Sequence, residues 1–208
     1  MFKIYVDDRL ITIASSQVPL KNANLVLKLN GSEKKGELSK LIKSFIEEIQ
    51  LPSLSLISDA PDKTWETFCS LYRILEAAGG VVFNKEKQLL MIYRNEHWDL
   101  PKGKIEINEN HAEAAIREVI EETGIKHVTI QHESKTTYHI YPYKNDHILK
   151  CTYWFIMHTV DVSPLQPQLE EGITKAVWMN NKEITEAINH CYASIIHLLD
   201  SEGIIKGI

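Results

Sequence analysis

Residues 110 to 123, NHAEAAIREVIEET, contain no proline or glycine and are rich in Ala, Glu and Ile, a composition that favours one uninterrupted helix. Asn110 with Glu113 three residues later makes a capping box, and Gly124 supplies the stop. At about 100° per residue, Ala112, Ala115, Ile116, Val119 and Ile120 share one arc, which is expected to be core. Glu118, Glu121 and Glu122 share another. Carboxylates at i, i+3 and i+4 repel one another, and Arg117 alone does not neutralise them. A hard divalent cation, which takes oxygen ligands and, as Mg2+, bridges to substrate phosphates, is the simplest partner for such a face. A solvated acidic surface is the alternative.

The helix belongs to a longer pattern. Gly103, Glu109, Arg117, Glu118, Val119, Glu121, Glu122, Gly124 and Ile125 stand in the order Gly, five residues, Glu, seven residues, Arg-Glu, aliphatic, one residue, Glu-Glu, one residue, Gly, aliphatic. This pattern resembles the signature box of the Nudix hydrolases and departs from it nowhere. The stretch before it, Trp98-Asp99-Leu100-Pro101-Lys102-Gly103-Lys104, is similar to the lead-in of members acting on dinucleoside polyphosphates or inositol pyrophosphates. The resemblance implies an α+β fold, with a mixed β-sheet sandwiched between helices, and hydrolysis of a phosphoanhydride bond.

That chemistry needs charge neutralised on phosphoryl oxygens and water held in line with the leaving group, which a carboxylate-bound cation does. Glu118, Glu121 and Glu122 are the expected ligands of Mg2+, with Mn2+ as a substitute, and Glu118 is also a candidate for activating water. The family resemblance adds the Gly103 carbonyl as a ligand and implies that Arg117 and Glu109 pair to fix the loop against the helix. A general base on a later loop serves several relatives, and Glu170 and Glu171 are this chain's candidates. His111, His139 and His147 are weaker ones. Arg94, Lys102 and Lys104 bring local positive charge to the box and are candidate phosphate donors.

A net charge of −5 without a Lys/Arg stripe disfavours a nucleic acid duplex as partner and suits a small polyphosphate arriving with its cation. The chain is 44% hydrophobic and 25% charged, its start lacks a signal-peptide layout, and no apolar run reaches membrane-spanning length. A cytoplasmic protein, possible as a homodimer, is the expectation. Cys69, Cys151 and Cys191 are odd in number and lack metal-ligand spacing, so they are expected to be buried or reduced thiols.

Residues 1–78 read as a small N-terminal αβ domain of unknown role and residues 79–208 as the catalytic domain. In the first, strands are expected at Phe2 to Val6, Leu10 to Ala14, Leu25 to Leu29 and Leu54 to Ile57, with helices at Glu37 to Gln50 and Trp65 to Ala78. Gly79-Gly80 would break the second helix. Beyond it come a hairpin of Val81 to Asn84 with Leu89 to Tyr93, and β-rich segments at Val128 to Glu133, Thr136 to Tyr141, Ile148 to Val160 and Ala176 to Met179. A last helix, capped by Asn180 with Glu183, would run on through Leu199.

The substrate marker is ambiguous. A Tyr about sixteen to eighteen residues past the box resembles the dinucleoside polyphosphate hydrolases, and a Pro about sixteen past it the ADP-ribose hydrolases; Tyr141, Pro142 and Tyr143 all fall there. Two tyrosines and the lead-in favour the polyphosphate class, with Tyr141 or Tyr143 as a base-stacking platform. An ADP-ribose, nucleotide-sugar or inositol pyrophosphate hydrolase is the alternative. So is a catalytically silent ligand-sensing module, against which the intact box argues, and an isomerase would need Cys151 at the metal.

Overall fold

The computed structural model describes residues 1–18, 24–31, 34–144 and 146–205. They form two compact units, one of Met1–Leu75 with Tyr138–Lys150 and one of Glu76–Thr137 with Cys151–Ile208. Relative to a division at residues 78 and 79, the excursion Tyr138–Lys150 is grouped with the N-terminal piece, because it supplies a parallel partner to the first strand.

In that unit β1 (Phe2–Val6) and β2 (Arg9–Ala14) pair antiparallel across a turn where Asp7 takes a φ of 53°, a conformation short polar side chains tolerate. β3 (Leu25–Leu29) and β4 (Ser53–Ser58) extend the sheet, and β10 (Thr137–Tyr143) joins its other side in the order β10-β1-β2-β4-β3. The pairs β1/β10, β2/β4 and β3/β4 are parallel, which requires crossovers. α1 (Lys35–Glu47) buries Leu38, Ile42 and Phe45 at helical spacing, and α2 (Pro61–Cys69) starts on a proline and buries Phe68. The Arg9 guanidinium donates to the carbonyls of Phe45, Ile46 and Glu48 at 2.9–3.2 Å, satisfying the orphan acceptors at the end of α1.

The second helix does not run on to Ala78. It ends at Cys69, and Arg73–Phe83 forms β5 instead. The apolar residues Phe68, Leu71, Tyr72 and Leu75 match a helical period, but the backbone around Ala78 finds an antiparallel partner in β8 (Lys102–Lys104), with Ala78 opposite Gly103. Gly79 and Gly80 are accordingly strand residues and not helix breakers. A side chain on Gly79 would run into Pro101, Lys102 and Trp154.

In the second unit β6 (Leu89–Arg94) pairs with β5, with β7 (His97–Asp99) and with β12 (Ile173–Met179). β11 (Asp146–His158) lies beside β5 and carries β9 (Thr129–Glu133). Alternation decides the two faces of this sheet. Val81, Leu89, Met91 and Trp154 pack on one side against Ile184 of α4 (Asn181–Ala187) and Ile195, Leu198 and Leu199 of α5 (Ala193–Ser201). Their neighbours Val82, Leu90 and Phe155 pack on the other against Ala114, Ala115 and Val119 of α3 (His111–Thr123). This is the expected α+β sheet between helices.

The closing helix is two helices. Asn180 and Glu183 make the expected capping box, but α4 ends at Ala187, a single turn follows, and Cys191 is extended and bridges to Trp98. Cys151 and Cys191 are buried thiols and Cys69 is partly exposed; none of the three is in a disulfide. No helix among the described residues is long and apolar enough to cross a membrane.

Candidate active site

α3 forms where the pattern requires it. The Asn110 side chain accepts from the Glu113 amide at 2.9 Å, the Glu113 carboxylate accepts from the Asn110 amide at 3.1 Å, and Gly124 closes the helix at a φ of 75°. Its acidic side is not a solvated face. Glu118 is 6% exposed and Glu122 is fully buried, while Glu121 remains outside. The depth comes from β8, whose backbone lies against α3. Gly103 leaves room for the Glu118 carboxylate, and a Cβ at position 103 would collide with it. Gly103→Ala should therefore lower turnover by about tenfold or more by displacing a site carboxylate, while the melting transition and far-UV spectrum stay close to wild type. Unchanged kinetics would show that Glu118 does not need this seat.

Arg117 organises the cluster. Its Nε and Nη2 donate to the two Glu109 oxygens at 2.7 and 2.8 Å, a forked pairing that only a guanidinium can make. Nη2 also donates to the Lys104 carbonyl at 3.0 Å, and Nη1 to Glu118 at 2.7 Å and Glu121 at 2.9 Å. The hydrogen bond from Arg117 holds Glu109 below the usual carboxylate range. Burial pushes Glu118 up despite Arg117.

Glu122 is the carboxylate of this cluster pushed furthest up. Its Oε2 accepts from the Lys102 backbone amide at 2.8 Å, but Oε1 is buried with no hydrogen-bond partner. Desolvation pushes it up to about 7 against the opposing pull of Lys102, with Asp99 and Glu118 adding to the rise. The approach of Lys102 is through its backbone, because its ammonium is paired with Asp99 beside the Trp154 ring. Asp99, itself buried and accepting from the Leu100 amide at 2.8 Å, is a site residue the motif reading missed. The one signal was an acid and a base at i and i+3 around Leu100-Pro101.

Of the remaining candidates, Arg94 ends β6 and reaches both Glu171, at 3.2 Å, and Glu122, at 3.6 Å. Glu171 sits on the turn Leu169–Glu171 and its charge is felt at Glu118, so it joins the cluster; it is exposed, as is Glu170 on the same turn. Lys104 offers its carbonyl to Arg117, its side chain being exposed. His111 opens α3 and stacks on Tyr153 at 3.7 Å. Tyr141, Tyr143, His139 and His147 belong to the other compact unit, where Arg73 lies over the Tyr143 ring.

Among the described residues no three acidic, histidine or cysteine side chains are gathered closely enough to hold a metal ion. Arg117 and Arg94 stand between the carboxylates that would converge. The donor chemistry nevertheless fits a hard divalent cation: an orphaned buried oxygen on Glu122, a second buried carboxylate on Glu118, and a glycine seat beside it.

The NUDIX domain family matches residues 74–199, well over half the chain. The chain belongs to the Nudix family. A Bacillus subtilis relative, named as a candidate 8-oxo-dGTP diphosphatase, is 44% identical over 46 residues, 21% of this chain and 31% of that protein's length. The match thus spans about a third of that relative. Two solved structures share the Nudix fold at low identity. A C. elegans Ap4A hydrolase is 23% identical over 62% of this chain and 96% of its own, with a TM-score of 0.51. A MutT protein from Methanosarcina mazei is 18% identical over 65% and 98%, with a TM-score of 0.50.

Proposed function

We propose that this protein is a divalent-cation-dependent hydrolase of phosphoanhydride bonds, acting on a dinucleoside polyphosphate. The observation that carries the reading is Oε1 of Glu122, a buried carboxylate oxygen left without a hydrogen bond beside Glu118 and Gly103. Such an atom, faced by Arg94 at 3.6 Å but hydrogen-bonded to nothing, costs stability that a closely held cation would offset. Glu118, Glu121 and Glu122, with the Gly103 carbonyl, would hold Mg2+ or Mn2+, which when bound supplies charge neutralisation at the phosphoryl oxygens.

This chain's own residues do the rest. Arg117 fixes the Glu109 loop and α3 as one body, and Lys102 presents its amide to Glu122. Glu118 or Glu171 takes a proton from the attacking water. Arg94 donates to phosphate. Glu171 has the stronger case than Glu170 because it alone of the two contacts Arg94. The polyphosphate class is supported by the lead-in Trp98 to Lys104, and Tyr141 and Tyr143 are the proposed stacking residues.

Turnover of a diadenosine polyphosphate, an ADP-sugar and an inositol pyrophosphate with Mg2+ tests the substrate class. The nucleotide polyphosphate should be cleaved fastest. Ala at Tyr141 or Tyr143 should weaken its binding by about 1 to 3 kcal/mol, the scale of base stacking, and the loss should fall on KM. Equal KM in wild type and both variants would remove the tyrosines from the site. Preference for the inositol pyrophosphate would remove the nucleotide.

A further inference from the structure

Arg94 is placed differently from a residue that simply waits for phosphate. Its side chain is one-third exposed at the end of β6, and its Nη1 lies between two carboxylates, 3.2 Å from Oε2 of Glu171 and 3.6 Å from Oε1 of Glu122. The second distance is too long for a hydrogen bond, so Oε1 of Glu122 is buried, unbonded and yet faced by a positive charge. That oxygen is the one best suited to a cation. A guanidinium and a divalent cation cannot share it without mutual repulsion, which weakly screened surroundings leave strong.

We propose that Arg94 is a built-in competitor for the cation seat: it neutralises Glu122 and Glu171 in the cation-free protein and must leave Glu122 for a divalent cation to be held there. The inference rests on the reading of the site as cation-dependent. Its consequence is an order of events. Arg94, once displaced from Glu122, has its planar fork free for phosphoryl oxygens, a geometry that guanidinium matches well. Substrate therefore meets an available Arg94 only after the cation is in place. Glu171 remains within reach as the anchor from which the side chain swings.

The test is Mn2+ binding without any substrate, followed by the electron paramagnetic resonance of free Mn2+, on the full chain. Wild type, Arg94→Ala, Arg94→Lys and Glu122→Gln are compared, with thermal melts to confirm folding. Arg94→Ala should bind Mn2+ about tenfold more tightly than wild type, equivalent to about 1.4 kcal/mol, because a competing charge is gone. Arg94→Lys, which keeps the charge, should stay near wild type. A residue that merely supported the fold would not tighten metal binding when removed. Unchanged or weaker Mn2+ binding in Arg94→Ala, with wild-type binding still lost in Glu122→Gln, would overturn the competition and leave the hydrolase reading standing. If wild type bound no Mn2+ that depends on Glu122, the cation-dependent reading would fall, and the competition with it.

Discussion

Glu122→Gln should reduce turnover by two orders of magnitude or more while making the cation-free protein easier to fold. The two effects have one origin. The substitution removes a charged oxygen without changing shape, and the several kcal/mol that a held cation contributes at phosphorus correspond to a hundredfold or greater loss in rate. Glu121→Gln should cost activity in the same way, but with little gain in stability, because Glu121 is exposed.

The stability half has a definite pH signature. Glu122 sits at about 7 in the folded chain against an ordinary 4.5, so between those values the folded state holds a proton that the unfolded state has released. Stability of the cation-free wild type must then fall as pH rises through that window, by up to about 3 kcal/mol. Glu122→Gln should lack this slope. Melts at pH 5 and pH 8 in chelator, alongside rates at limiting Mg2+, provide the measurement. Near-normal rates in both Gln variants would rule out the carboxylate assignment, and a parallel pH slope in Glu122→Gln would place the buried proton elsewhere.

Arg117→Ala should be nearly as damaging, and for a reason that metal cannot repair. The side chain serves Glu109, Glu118, Glu121 and the Lys104 carbonyl at once. Its loss leaves the buried Glu118 charge unpaired, destabilising the fold by about 2 to 3 kcal/mol after allowance for partial exposure, and releases the Glu109 loop from α3. Activity should drop by about a hundredfold. Excess Mg2+ should restore little, since Arg117 takes up ligand oxygens and provides none. Arg117→Lys should recover the charge but not the fork on Glu109. Full rescue of Arg117→Ala by Mg2+ would mean that Arg117 tunes cation affinity instead of loop geometry.

Signals confined to one turn of backbone were readable in advance. Asn110 with Glu113, Gly124, and Asn180 with Glu183 mark helix ends where the helices begin or stop, because each cap is satisfied within a few residues. The failures share a non-local cause. Arg73 to Ala78 looks helical until β8 is counted, and β8 is three residues around a glycine with no period of its own. The helix expected through Leu199 is interrupted because Cys191 pairs with Trp98, over ninety residues away in sequence. At the site, the helical wheel gave the direction of Glu118 and Glu122 but not their depth. Depth depends on Gly103 admitting α3 against a strand, and the Asp99–Lys102 pair depends on the same packing.

The carboxyl end of α3 is tied to the segment that follows β11. The Gln166 amide donates to the Thr123 carbonyl at 2.8 Å and the Gln168 amide to the Glu122 carbonyl at 3.2 Å, and a side chain on Gly124 would press on Gln166. Glu171 is therefore measured off from Glu122 by a three-residue step beginning at Gln168, whatever the length of the loop before it. Residues upstream of the tether brace the same helix: Asp161 accepts from the Lys126 amide at 2.6 Å, just past the end of α3, and Leu165 packs on the core that holds Ala115 and Val119. One residue gained or lost between Gln168 and Glu171 would carry the glutamate out of register with the helix. The spacing of helix and turn is thus kept by main-chain ties that close downstream of residue 165.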